Sequence, residues 1–149
     1  LDACPLLRTL FPNLHFVWMI RRDKVRQAVS WAKAAKTGIW ARTSEDPPES
    51  EQEPAFDFEL VDNLVRLIGE GERGWEQFFL ECGVEPLKVY YEGLVRAYER
   101  TALDVLDYLG VSYPGDLTLG ERRMKRQSDE VNEKWVQMYY EAKGSSPSG

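Results

Sequence analysis

The order of apolar and polar positions predicts a strand followed by a helix near the start of the chain. Leu14 to Ile20 is a continuous apolar run, LHFVWMI, whose β-branched and aromatic residues are typical of a buried strand in a parallel sheet. Asp23 can accept hydrogen bonds from the free N–H groups of a following first turn. Apolar residues then recur at helical spacing, so we expect a helix from about Lys24 to Lys36 that ends at Thr37-Gly38.

A second helical pattern begins at Phe58 and ends at Cys82-Gly83. Gly69, Gly71 and Gly74 interrupt this pattern, and each costs about 1 kcal/mol relative to Ala inside a helix. The pattern therefore allows either one continuous helix or a helix that restarts after a kink.

The rest of the pattern predicts one more strand and two more helices. We expect a strand over Leu87 to Tyr91, a helix over Leu94 to Leu109, and a final helix from about Asp129 with Trp135 and Met138 on its apolar face. Two strands are too little sheet to be stable alone. The fold is therefore either mostly helical or completed by strands in a partner segment, and we favour the second interpretation.

The net charge of −6 comes from one segment rather than from the whole surface. Residues 43–59 hold seven acids and no base, which leaves 19 basic residues against the other 18 of the 25 acids. The bases of this nearly neutral remainder gather at residues 21–26 and 122–126. Two basic clusters on a neutral body indicate an anionic ligand held at a site, not a stripe that binds nucleic acid.

The composition excludes several classes of protein. A chain with 43% hydrophobic and 12% aromatic residues is not disordered, and its longest apolar run is too short to span a membrane. Cys4 and Cys82 make no disulfide framework, so we expect free, inert thiols in a reducing compartment. His15 has no second histidine beside it, which favours a packed or edge histidine over a metal ligand.

Arg22 and Ser30 are the first candidates for chemistry. They lie on either side of the predicted strand–helix junction, and ligands of open α/β sheets gather at that carboxyl edge. The planar guanidinium fork suits a phosphate, and a serine hydroxyl about two turns into the helix can join it if the loop folds back. The alternative is a solvated basic helix start with ordinary surface charges.

These residues also carry a family resemblance. An arginine and a serine eight positions apart resemble the 3′-phosphate-binding motif of sulfotransferases that use 3′-phosphoadenosine 5′-phosphosulfate (PAPS). More narrowly, RRDKVRQAVSWAKAAKTGIW resembles the bacterial Stf0-type family of trehalose, lipopolysaccharide and nodulation-factor sulfotransferases. The resemblance continues through FDFELVDNLVRLI, GWEQFF, EPLKVYYEGLV and VLDYLGV to RQSDEVNEKWV, and so covers Leu10 to about Tyr140. Gly93 in YYEGLV departs from the common Asp of the family's pattern.

The resemblance implies the roles of the site residues. Arg22 and Ser30 would hold the 3′-phosphate of the co-substrate PAPS, Lys125 and Arg126 would close over it, and Tyr91 would lie near the adenine. Alternatively, Lys125 and Arg126 form an ordinary cluster of surface charges, and Tyr91 packs on the core at the end of a strand. The implied reaction is in-line transfer of a sulfuryl group to a sugar hydroxyl, with no metal.

The resemblance also implies that the chain is one part of an α/β fold. That fold is a sulfotransferase-type, P-loop-like three-layer arrangement, of which this chain would be the helix-rich carboxy-terminal portion. We expect residues 1–143 to belong to it, with an acidic loop at 43–57 and a flexible tail at 144–149. The first 13 residues contain neither Gly nor Lys, so the loop that would hold the phosphosulfate is missing. We therefore expect no catalytic residue in this chain and no activity from it alone.

The family resemblance also implies the partners of the protein. They are a sugar or glycolipid acceptor, together with either the missing amino-terminal half or a second copy of the chain, in a cytoplasmic protein without a transmembrane segment. One rival interpretation is a non-catalytic helical interaction module derived from a sulfotransferase. The other is a nucleotide kinase fragment, which would require a Walker lysine and an acidic Mg²⁺ ligand that are not found here.

Overall fold

The computed structural model describes residues 3–38, 54–120 and 130–145. Its elements in chain order are α1 (Ala3–Leu10), β1 (Val17–Ile20), α2 (Lys24–Thr37), α3 (Phe58–Cys82), β2 (Leu87–Tyr90), α4 (Tyr91–Arg96), α5 (Tyr98–Tyr108) and α6 (Glu130–Ser145). The chain divides into two compact units, one of residues 1–22 and 72–120 and the other of residues 23–71 and 121–149. The division falls within α3, which is continuous through the three predicted interruptions.

The first unit contains the sheet, and both strands were predicted. β1 and β2 pair in parallel, with Val17 beside Leu87 and Ile20 beside Tyr90. β1 is shorter than the apolar run. Leu14 closes a hydrogen-bonded turn, with its N–H donating to the carbonyl of Phe11 at 3.1 Å, and the pairing with β2 begins only at Val17. A parallel pair brings the carboxyl ends of both strands to one edge, and the candidate arginines follow β1 at that edge.

Aromatic rings pack the sheet against the second half of α3. Phe79 is buried, and its ring centroid lies 5.6 Å from that of Phe16 and 5.5 Å from that of Trp18. Trp75 stacks on Phe79 with centroids 5.7 Å apart, yet half of Trp75 remains exposed. Glycines inside α3 destabilise the helix, and these aromatic contacts of its second half stabilise it.

Two features of the first unit differ from the predictions. The helix expected over Leu94 to Leu109 is broken at Ala97, whose φ of −137° and ψ of 62° separate α4 from α5. The four-residue apolar spacing continues across that position, so it could not reveal a break of one residue. Helix α1 was not predicted either, because Leu6 and Leu10 are exposed and no buried stripe marks it.

The expectation of free thiols is wrong. A disulfide joins Cys4 on α1 to Cys82, the last residue of α3, with their Cα atoms 5.3 Å apart. The fold brings the two ends of this 78-residue separation together, and a guanidinium nitrogen of Arg8 also donates to the carbonyl of Cys82 at 2.5 Å. Gly83 then ends α3 with a φ of +58°, a conformation that glycine adopts without strain.

The second unit is a helical core built by α2, the first half of α3, and α6. Asp23 caps α2 by accepting the N–H of Arg26 at 2.9 Å, and Gly38 ends it with a φ of 73°, both as predicted. The apolar faces meet in a buried cluster of Val25, Ala28, Val29, Ala32, Val61, Leu64, Ile68, Trp135, Val136 and Tyr139. Trp135 is buried as the pattern of the last helix predicted, whereas Met138 is half-buried. The side chain of Val131 lies outside the described residues, as do residues 39–53, which include most of the acidic segment.

A polar contact fixes α6 to α3 at the edge of this core. The hydroxyl of Tyr139 and the ammonium of Lys143 both donate to Oδ1 of Asp62 at 2.7 Å. Burial, together with this hydrogen bond, raises the pKa of Tyr139 to about 12. The same partners, Lys143 first, lower the pKa of Asp62.

We expect this phenol to make the second unit lose stability at alkaline pH. The tyrosine of the unfolded chain releases its proton near pH 10, whereas the folded protein keeps it to about 12. Between these values the native state binds more protons, so the free energy of unfolding falls as the pH rises, and below pH 10 this group adds no pH dependence. Urea denaturation of the chain and of Tyr139→Phe from pH 9 to 11.5 measures the effect. The variant should show the shallower alkaline loss, and equal slopes would contradict the assignment.

Candidate functional site

Arg22 lies two residues beyond β1 at the carboxyl edge of the sheet, and its side chain is exposed. Its guanidinium carbon is 4.1 Å from the ring centroid of Tyr90, the last residue of β2. Its backbone N–H donates to Oε1 of Glu92 at 2.9 Å. No ion pair joins this guanidinium to an acid in the part of the chain that the structure describes, so it can face an external anion.

Arg21 lies on a second aromatic ring. Its guanidinium carbon is 4.8 Å from the centroid of Tyr91, the first residue of α4. Two consecutive arginines after β1 therefore lie against two consecutive tyrosines at the end of β2. Tyr91, the candidate adenine-binding residue, is half-buried and contacts Arg21, and the sequence spacing did not predict this contact.

Arg26, which belongs to the same basic cluster in the sequence, is instead part of the scaffold of the second unit. Its two terminal nitrogens donate to the two carboxylate oxygens of Glu133 on α6, and its Nε pairs with Asp23 at 2.9 Å. The bond to Glu133, with a smaller contribution from Asp23, raises the pKa of Arg26. The cluster of bases in the sequence thus divides into arginines on tyrosines and an arginine engaged in ion pairs.

The other predicted site residues have different positions. Ser30 lies in α2 of the second unit and is half-buried, next to the fully buried Val29. Lys125 and Arg126 lie outside the described residues. Within one unit, the structure therefore brings Arg22 together with Arg21, Tyr90, Tyr91 and Glu92.

A cavity of about 420 Å³ opens beside Arg22 within the first unit. The other residues that line it are mostly aliphatic, including Leu94 and Val105, and its polar lining residues are Arg22, Lys88, Tyr90, Arg96, Thr101 and Asp104. A concave, largely apolar surface with a few polar groups is the usual form of a small-molecule site. Arg22 is one of the lining residues, so its positive charge can attract an anionic ligand there.

The described ranges 3–38, 54–120 and 130–145 contain no group of three or more His, Cys, Asp or Glu side chains that could hold a metal ion. His15 is exposed, with Nδ1 2.9 Å from the carbonyl of Asn13 and its ring edge on Tyr108. None of the helices described is long and apolar enough to cross a bilayer.

Comparison with known proteins identifies the family. The family model described as Stf0 sulphotransferase matches residues 2–142 of this chain. This chain belongs to the Stf0 sulfotransferase family. Trehalose 2-sulfotransferase of Mycobacterium tuberculosis (strain ATCC 35801 / TMC 107 / Erdman) is 31% identical over 125 residues, which are 83% of this chain and 45% of that protein. Trehalose 2-sulfotransferase of Mycolicibacterium smegmatis (strain ATCC 700084 / mc(2)155) is 31% identical over 120 residues, 80% of this chain and 43% of that protein.

The Stf0-family chain thus spans less than half the length of these curated relatives. Its mixed helical structure with a small parallel sheet agrees with the predicted α/β class. The resemblance seen in the sequence is confirmed at the level of the family.

Sequence reasoning missed Tyr90 and Glu92. Tyr90 was predicted only as part of the second strand, and Glu92 was assigned no role. The signal that could have found them is the parallel pairing itself, because Ile20 beside Tyr90 places the residues after both strands at one edge. The register, which the apolar pattern leaves open, decides which of these residues meet.

Proposed function

We propose that this chain is part of a carbohydrate sulfotransferase and holds the 3′-phosphate and adenine side of its donor, PAPS. Membership of the Stf0 family supports sulfuryl transfer, and the names of the two relatives support a sugar acceptor. The observation that carries the donor side is the exposed guanidinium of Arg22 at the carboxyl edge of two parallel strands. Ser30, Lys125 and Arg126 complete the phosphate contacts in this proposal, and Tyr91 lies beside the adenine.

The chemistry assigned to this chain is binding and orientation. In the reaction, the bond from sulfur to the bridging oxygen of the 5′-phosphate breaks and a bond from sulfur to the acceptor oxygen forms. The hydroxyl proton passes to a base, and the products are a sulfate ester and adenosine 3′,5′-bisphosphate. A guanidinium on the 3′-phosphate fixes the far end of the donor and so aligns its sulfuryl group for in-line attack.

The three-layer, P-loop-like fold is the architecture we propose for the whole protein. The first unit supports it, because Val17 and Met19 of β1 are 41% and 56% exposed, and a two-stranded sheet is marginal alone. Further strands, from the rest of the protein or from a second copy, would cover these side chains.

The decisive experiment compares adenosine 3′,5′-bisphosphate with adenosine 5′-phosphate by calorimetric titration of the chain. We expect tighter binding of the bisphosphate, and Arg22→Ala should weaken it by roughly 10- to 100-fold, because a hydrogen bond to a charged group contributes about 1.5–3 kcal/mol. Ser30→Ala removes a neutral hydroxyl and should weaken binding less, by roughly 5-fold. Neither change should alter binding of the 5′-phosphate, which lacks the group they hold.

Arg66→Ala is the matched control for the lost positive charge. Arg66 is exposed on α3 and paired with Glu70 at 2.9 Å. If it weakens bisphosphate binding as much as Arg22→Ala does, attraction by overall charge explains the result and the phosphate site is wrong. Equal affinities of the unchanged chain for both nucleotides would also contradict the proposal.

We expect the chain alone to transfer no sulfuryl group. The donors that stabilise the transferring group supply most of the catalysis in such reactions, and no residue of this chain is assigned to them. The measurement is mass spectrometry of trehalose incubated with PAPS and the chain. Sulfated trehalose that disappears when the protein is first denatured by heat would contradict this expectation.

A further inference from the structure

Arg22 contacts two residues at the end of β2 and the start of α4, Tyr90 and Glu92. β1 ends at Ile20 and β2 ends at Tyr90, which are paired in the parallel register, so the chain leaves both strands at the same edge. Arg22 is already past the last ladder pair. Nothing in the sheet itself therefore fixes the direction of its backbone or side chain.

Two contacts from the β2–α4 junction supply that restraint. The carboxylate of Glu92, in the first turn of α4, accepts the backbone N–H of Arg22 at 2.9 Å and links residues 70 positions apart. The ring of Tyr90 lies 4.1 Å from the guanidinium carbon of the same residue. One contact fixes the backbone from which the side chain starts, and the other restricts the charged end of that side chain.

We infer that Glu92 and Tyr90 are positioning residues that hold the Arg22 guanidinium in the orientation that binds the 3′-phosphate. This inference rests on the proposed function. An arginine side chain loses much rotamer freedom when it binds an anion, and a side chain already held in place loses less. The two residues therefore raise affinity for the 3′-phosphate without touching it.

The test measures the preference of the chain for adenosine 3′,5′-bisphosphate over adenosine 5′-phosphate, again by calorimetric titration. Glu92→Ala and Tyr90→Leu should each reduce this preference by roughly 3- to 10-fold and leave the affinity for the 5′-phosphate unchanged. Glu92→Gln keeps an oxygen acceptor and Tyr90→Phe keeps the ring. Both should retain most of the preference, whereas a general loss of stability would weaken the binding of both nucleotides together.

Glu99→Ala is the matched control. Oε1 of Glu99 accepts the backbone N–H of Leu119 at 2.9 Å in the same unit, a contact of the same kind between other residues. It should leave the nucleotide preference unchanged, while thermal melting of all the variants reports whether they remain folded. A reduced preference in Glu99→Ala equal to that in Glu92→Ala would overturn the inference.

Failure of the positioning role and failure of the proposed phosphate site give different results in these titrations. If Arg22→Ala abolishes the preference but Glu92→Ala and Tyr90→Leu keep it, the positioning role is wrong and the proposed phosphate site stands. If the unchanged chain has no preference for the bisphosphate, the phosphate site is wrong and the positioning role falls with it.

Discussion

Trp135→Ala should lower the free energy of unfolding of the chain by about 3–5 kcal/mol, the usual effect of removing a large buried aromatic side chain. Trp135 is 3% exposed on α6, within the buried cluster that joins this helix to α2 and α3. Its ring also meets the edge of Phe56, with centroids 5.6 Å apart. Truncation removes both the apolar burial and the ring contact, and the surrounding backbone can fill the space only in part. Urea denaturation followed by circular dichroism measures the change.

Trp31→Ala is the matched control on the same unit. Trp31 lies on α2 but is 43% exposed, so its loss should destabilise the chain by far less. Trp135→Phe keeps an aromatic ring and should fall between the two alanine variants, which provides a measurable value if Trp135→Ala does not fold. Equal stability of Trp135→Ala and Trp31→Ala would mean that α6 does not pack on the core as described.

The sequence predicted correctly those helix ends that are set by a capping residue or a glycine at the end itself. Helix α2 begins and ends where it was expected, because Asp23 is a side-chain cap and Gly38 is a left-handed stop. A parallel sheet was also predicted for the first strand, since its apolar run lacks the alternation of a half-exposed antiparallel strand, and β1 pairs in parallel with β2. Helix α1 was missed because a helix with exposed leucines has no buried stripe to detect.

The position of Arg22 could be predicted from the sequence, but the residues that contact it could not. The sequence placed Arg22 at the carboxyl end of a strand, and the structure agrees. It could not separate Arg22 from Arg26, because the partner that binds Arg26, Glu133, lies 107 positions away in the sequence. The contacts of Arg22 with Tyr90 and Glu92 likewise depend on strand register, which no short segment encodes.

Loss of the Cys4–Cys82 disulfide should lower the free energy of unfolding by about 4 kcal/mol. The bond closes a long loop, since its ends are 78 residues apart, and in the chain-entropy model a bond across a longer loop removes more freedom from the unfolded chain. Apolar packing of helix α1 is incomplete, because Leu6 and Leu10 are 48% and 59% exposed. Eight residues are also too few to be helical alone in water.

The measurement compares urea denaturation of the chain and of Cys4→Ala, each with and without dithiothreitol. The reductant should destabilise the unchanged chain by about as much as the substitution does, and it should have no further effect on the variant, whose remaining thiol has no partner within the chain. Arg8→Ala, which removes the 2.5 Å hydrogen bond to the carbonyl of Cys82, separates this neighbouring contact from the covalent bond and should destabilise the chain by only about 1 kcal/mol. If the oxidised and reduced chains unfold at the same urea concentration, the disulfide does not restrain the unfolded chain, and the attachment of α1 must come from noncovalent contacts alone.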